Sequence, residues 1–132
     1  MAKTNGVILV LKDGRLVMQR RDAGAPADAN KLSLFGGHFE THETPHVALI
    51  RELGEETSLS LNSLKFKLLM RHPLHGHDNC YVYLTHIKDS HFKVFEGKGA
   101  EVYSVEELLT RNDLSPDAKK IIKAYHEGKQ WH

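Results

Sequence analysis

With 132 residues, 40% of them hydrophobic and 27% charged, the chain has the make-up of one globular domain around one core, and residues 1–132 are read as a single unit. A formal net charge of +1 gives no basic excess that would point to nucleic acid or to an acidic membrane surface. The longest early apolar run, residues 6–11, is too short for a signal segment or a membrane span, and the lone Cys80 excludes an internal disulfide and a cysteine-based zinc site. The expected setting is the cytoplasm, and the expected assembly a monomer or homodimer.

In chain order, residues 7–20 read as a β-hairpin, with Asp13-Gly14 as a two-residue turn. The first arm is apolar at consecutive positions, which predicts a strand covered on both faces. Residues 22–30 form a small, Pro-containing loop, and residues 31–35 a short strand ending at Gly36-Gly37. From Pro45 to about Thr57 the period is helical, with Thr44 as N-cap and Val47, Ile50, Leu53, Gly54 and Thr57 on one face. Residues 64–71 alternate apolar Leu64, Phe66, Leu68 and Met70 with basic residues, as in a half-covered strand. Further strands are expected over 79–87 and 100–105. Ser104 with Glu107 makes a capping box for a short helix, and Ser115-Pro116 opens a last helix that buries Ala118, Ile121, Ile122 and Tyr125 and stops near Gly128. The order β, β, β, α, β, β, β, α, α predicts an α/β fold with a mixed β-sheet between helices.

Residues 42–46 read HETPH, which matches the H-E-x-x-H pattern of zinc proteases. That pattern needs both histidines on one helical face. Proline is tolerated at the first helical position and poorly further in, so the helix starts at Pro45 and leaves His42 and Glu43 in the loop before it. His42 and His46 then share no face, and the zinc reading fails.

The dense feature is RELGEE, residues 51–56. At about 100° per residue, Glu52, Glu55 and Glu56 cover one arc of the helix, roughly 100° wide. Like charges at these spacings repel, and carboxylates in the C-terminal half of a helix oppose its dipole. A solvated charged face is the ordinary reading of such a cluster. Here a divalent cation would relieve the repulsion, and carboxylate oxygens suit Mg²⁺ or Mn²⁺.

The segment 37–59, GHFETHETPHVALIRELGEETSL, resembles the Nudix box of the Nudix (MutT-like) hydrolases. Gly37, Glu43, Arg51, Glu52, Leu53, Glu55, Glu56 and Leu59 stand where that pattern has G, E, R-E-U, E-E and U. Ser58 departs from the pattern's second Gly, His42 stands where relatives often have Gly, and Phe35 replaces a common Pro. The resemblance implies the Nudix fold, an α/β/α sandwich, and hydrolysis of a diphosphate bond in a nucleoside diphosphate linked to another moiety. A MutT-type nucleoside triphosphate pyrophosphatase suits the short chain. Nucleotide sugars or dinucleoside polyphosphates are the alternative substrates. A non-catalytic nucleotide sensor is the rival reading, and the complete carboxylate set argues against it.

The resemblance also implies roles. Glu52, Glu55 and Glu56 would hold Mg²⁺, with Mn²⁺ as a possible substitute, and the Gly37 carbonyl would lie near the same ion. Glu43 and Arg51 would support the loop and helix by an ion pair. Similar enzymes add a glutamate from outside the box; Glu96 is the candidate and Glu101 the second choice. Arg20 or Arg21 would meet substrate phosphates, and Phe35 is read as a strand or pocket-edge residue. Ser58 is expected in a left-handed conformation at a cost of roughly 1 kcal/mol. His72, His75 and His77 could bind metal or substrate, although loop histidines are more often solvated. Tyr81, Tyr83 and Tyr103 could stack on a base, with sheet packing the ordinary reading. The expected partner is a small-molecule nucleotide, with no nucleic acid and no membrane.

Overall fold

The computed structural model describes residues 3–74 and 78–128, without the side chains of residues 72–74, 78 and 79. The loop histidine cluster (the His72 side chain, His75 and His77) and Trp131 therefore lie outside the described residues.

Thr4–Val10 (β1) and Leu16–Arg20 (β2) form the hairpin, with Leu9 opposite Val17. Its turn is wider than the two residues expected. Gly14 N–H donates to the Leu11 carbonyl at 2.9 Å, and Leu11 N–H to the Arg15 carbonyl at 2.8 Å, with Gly14 at φ +90. This is a turn closed by a left-handed residue, and the Asp13 carboxylate reinforces it by accepting from Arg15 N–H at 3.1 Å.

Leu32–Ser33 (β3) and Ala100–Tyr103 (β6) both pair antiparallel with β2. Lys67–Leu74 (β4) pairs antiparallel with Asp78–His86 (β5), and β5 runs parallel to β1. The order is β3-β2-β1-β5-β4 with β6 on β2, so the sheet is mixed. Three helices cover it: Pro45–Glu56 (α1), Val105–Thr110 (α2) and Pro116–His126 (α3). β1 is buried on both faces. Val7, Leu9 and Leu11 pack with Leu49 and Leu53 of α1, while Ile8 and Val10 pack with Leu108, Ile121 and Ile122 of α2 and α3. The result is an α/β/α sandwich. Among the described residues no helix is long and apolar enough to cross a membrane.

Thr44, Ser104 and Ser115 cap the helices, and the Ser104–Glu107 capping box is reciprocal. Three local expectations differ. β4 begins at Lys67, after a 3-10 turn at Leu61–Ser63, and a bulge between Leu68 and Met70 breaks the alternation. Met70 is buried while Leu68 is 47% exposed, because the extra residue turns them to different faces. Helix α1 buries Ala48, Leu49, Leu53 and Glu56 and leaves Val47 exposed, so Glu56 shares the apolar stripe instead of standing opposite it. Ser58 is absent from the positive-φ residues among those described. The helix ends on extended Thr57, and Ser58 pairs with Lys93 by Ser58 N–H to carbonyl at 3.0 Å and Lys93 N–H to Ser58 Oγ at 2.7 Å. Serine here therefore carries no left-handed strain.

The strain sits instead at His42, with φ +70 in the turn before α1. A side chain in that conformation costs roughly 1 kcal/mol, part of which glycine gives back through its freer unfolded chain. His42→Gly is expected to raise stability by up to about 1 kcal/mol in urea unfolding, and a clear loss of stability would show that the imidazole makes a compensating contact.

Candidate active site

The glycine pair is pressed between β1 and α1. Val7 N–H donates to the Phe35 carbonyl at 2.9 Å and Asn5 N–H to the Gly37 carbonyl at 2.8 Å, so residues 35–37 run against β1. At Gly36, φ is +143 and an added Cβ would collide with the Asn5 carbonyl. At Gly37 an added Cβ would fall on the Glu52 carboxylate. The two glycines thus let a loop lie directly on the acidic face of α1. One lone pair of the Gly37 carbonyl is committed to Asn5.

Arg51 organises the carboxylates. It grips Glu43 through Nε at 2.7 Å and Nη2 at 2.9 Å, and donates from Nη1 to Glu52 and Glu55 at 3.0 Å each. Its Nη2 also donates to the His38 carbonyl at 3.0 Å. Arg51 holds the Glu43 carboxyl below the usual range, helped by Glu40 N–H. One guanidinium therefore ties the loop 38–43 to the helix that carries the acidic cluster.

Glu56 has no such partner. It is only 5% exposed, and its Oε1 is buried without a hydrogen bond. Burial, then the charges of Glu96 and Glu52, push its carboxyl up to about 8, against an opposing Gly36 N–H. Phe95 N–H donates to the Glu56 carbonyl at 2.7 Å, which brings Glu96 to the end of α1. Glu52, Glu56, Glu96 and Gly37 line a cleft of about 860 Å³, together with Gln19, Arg21, residues 22–26, His38 and Lys98.

Other candidates fall elsewhere. Glu55 is 60% exposed on the Arg51 side and is outside the cleft wall. Phe35 is completely buried against Phe92, so it is a core residue and not a pocket-edge one. Arg20 is consumed by structure. It pairs with Glu101 at 2.7 and 2.8 Å, with Asp113 at 2.9 Å and with the Asn30 carbonyl at 2.8 Å. That pairing also removes Glu101 from consideration as a metal ligand. Arg21 is the cleft arginine, with Nε on the Ala27 carbonyl at 2.8 Å. Tyr83 is buried, Tyr81 packs on Phe39, and Tyr103 donates to Glu101, so none of the three lines the cleft. His46 sits in α1 near Phe66 and Tyr83, whereas His42 lies in the turn before the helix at φ +70, so the two share no helical face.

A NUDIX domain family model matches residues 2–125. The chain belongs to the Nudix hydrolase family. Solved structures with this Nudix fold include DR0079 from Deinococcus radiodurans, with 20% identity and a TM-score of 0.80 over 92% of this chain and 81% of that one. A NUDIX hydrolase from Nitrosomonas europaea has 21% identity and a TM-score of 0.74, over 99% and 76% of the two chains. A MutT protein from Methanosarcina mazei Go1 has 16% identity and a TM-score of 0.73, over 96% and 93%. No protein of curated function matches the sequence.

The chemistry of the site's donors suits a hard divalent cation. An orphaned, buried carboxylate oxygen on Glu56 faces negative neighbours, the Gly37 cradle leaves the Glu52 carboxylate room, and all the donors are oxygens. Among the described residues no three acidic, His or Cys side chains form a metal-holding group, and Glu52 and Glu55 are both bonded to Arg51.

Two outcomes follow from this geometry. In Gly37→Ala the atoms that must yield are the Glu52 carboxylate, so Mn²⁺ affinity by calorimetry is expected to fall by roughly 10-fold or more with the circular dichroism unchanged. The second concerns pH. Arg20, then the Tyr103 hydroxyl, hold Glu101 down to about 2. The folded state therefore binds fewer protons than the unfolded state between about 4.5 and 2, and this stabilisation is full above that window and lost as pH falls through it. Glu101→Gln is expected to flatten the acid limb of stability, and an unchanged acid limb would place the acid sensitivity elsewhere.

Proposed function

We propose that this Nudix protein is a Mg²⁺-dependent hydrolase that splits a diphosphate bond in a nucleoside diphosphate linked to another moiety, most closely a MutT-type nucleoside triphosphate pyrophosphatase. The observation that carries the reading is the unpaired, buried Glu56 oxygen beside Glu52 and Glu96 at the floor of an open cleft. Glu52, Glu56 and Glu96 would hold the cation, with Glu55 able to join them on leaving Arg51. When bound, Mg²⁺ or Mn²⁺ supplies charge neutralisation on the bridging phosphates and activation of water. The chain's own residues do the rest. Arg51 fixes the loop and helix in register, so that the loop backbone and the helix carboxylates keep to one side of the cleft. Arg21 presents a cation to the phosphates. Glu96, exposed on its loop, would take, on a carboxylate oxygen that the cation leaves free, the proton released as water attacks phosphorus.

A second hollow of about 200 Å³ supports a nucleoside as part of the substrate. It shares Arg21, Gly36, Gly37 and His38 with the cleft, and Leu34, Ala118 and Ile121 give it apolar walls that a phosphate chain cannot use. Ser33 and Asp117 add polar groups suited to a heterocycle.

The test is phosphate and pyrophosphate release with Mg²⁺ across nucleoside triphosphates, nucleotide sugars and dinucleoside polyphosphates. Glu56→Gln and Glu52→Gln are expected to lower kcat by roughly 10²–10³, and Glu55→Gln by roughly 10-fold. Full activity in Glu56→Gln would remove the assignment of the cleft as the reaction site.

A further inference from the structure

Lys98 lines the cleft, yet it lies outside the Nudix box and on no strand. Its backbone is fixed from both sides. Lys98 N–H donates to the Arg20 carbonyl at 2.8 Å, and Arg20 N–H to the Gly99 carbonyl at 2.9 Å. Gly97 and Gly99 turn the chain around it at φ +76 and +103. A Cβ at Gly97 would stand 2.6 Å from the Arg20 carbonyl, so the segment lies tightly on β2.

The side chain, although exposed, has a partner. The Lys98 ammonium donates to Asn30 Oδ1 at 2.8 Å. Asn30 is held at φ +63, and its carbonyl accepts from Arg20, which Glu101 and Asp113 anchor in turn. Lys98 and Asn30 are both exposed, and the positive charge on the cleft wall rests on the neutral amide oxygen of Asn30, beside a cleft that also holds Asp22, Glu52, Glu56 and Glu96. An amide neutralises none of the lysine's charge, so exchanging it for a phosphate oxygen gains an ion pair. The other cation of the wall, Arg21, already spends its Nε on the Ala27 carbonyl.

We propose that Lys98 is a substrate-binding residue that takes a non-bridging oxygen of the substrate's phosphate chain, with the Arg20–Asn30 pair presenting it. The assignment rests on the phosphoanhydride reading of the cleft. Its consequence is selectivity for anions. Four carboxylates repel a polyphosphate, and the cation bound among them covers only the phosphates it touches, so the remaining charge falls to Lys98 and Arg21.

The experiment measures inorganic pyrophosphate binding by calorimetry with Mg²⁺, using wild type, Lys98→Gln, Lys98→Arg and, as a charge-matched control outside the cleft, Lys12→Gln. Lys98→Gln is expected to weaken binding by roughly 10-fold, Lys98→Arg by less than about 3-fold, and Lys12→Gln not measurably. On a hydrolysed nucleotide, the Lys98→Gln loss is expected in KM more than in kcat. Wild-type affinity in Lys98→Gln, an equal loss in Lys12→Gln, or no pyrophosphate binding by wild type overturns the proposal. Lys98-dependent binding with no nucleotide hydrolysed leaves Lys98 in place and removes the hydrolase reading instead.

Discussion

One guanidinium holds the acidic centre of this protein together. Glu52, Glu55 and Glu56 crowd the last turns of α1, where their mutual repulsion and the helix dipole both work against folding. Arg51, next to Glu52 and one turn before Glu55, spreads its donors over Glu43, Glu52 and Glu55 and adds the His38 carbonyl. It thereby offsets the repulsion and pins the preceding loop to the helix in the same act. Glu56 is the one carboxylate of the three left outside that arrangement, and it is the one that is buried. The helix forms, yet its end retains one buried carboxyl oxygen without a hydrogen bond.

The sandwich makes this possible by what it allows to approach. β1 packs helices on both faces and so fixes the plane against which residues 35–37 lie. Gly36 and Gly37 then bring loop backbone and the Glu52 carboxylate closer than any side chain would permit. On the far side, Arg20 performs a comparable task with different chemistry. It clamps β6, the turn before α3 and the end of the loop 22–30, and its backbone receives the segment that carries Glu96 and Lys98. The cleft is therefore built between two arginine hubs, one on the helix and one on the sheet, and neither guanidinium is free to bind an anion.

What the sequence by itself determined was set by local rules. The strand and helix order, the caps at Thr44, Ser104 and Ser115, and the helix start at Pro45 that splits HETPH depend on residues close in the chain, and the structure shows each of them. The family was legible because the box is one contiguous segment, and its spacing was readable without knowing what packs against it. Tertiary structure decided what spacing could not: which of two neighbouring arginines faces the cleft, that Phe35 belongs to the core, that Glu56 turns inward with Leu49 and Leu53, and that Lys98 stands across from Asn30. Helical angles place residues around an axis, but burial depends on where the sheet meets that axis, and the identity of a cation's partner depends on contacts made across tens of residues of chain. The strain expected at Ser58 was found at His42 for the same reason. A neighbouring segment, residues 93–95, pairs with the chain past the helix, where Thr57 is extended, while the turn before the helix closes on itself, from Glu43 N–H to the Glu40 carbonyl, with His42 left-handed.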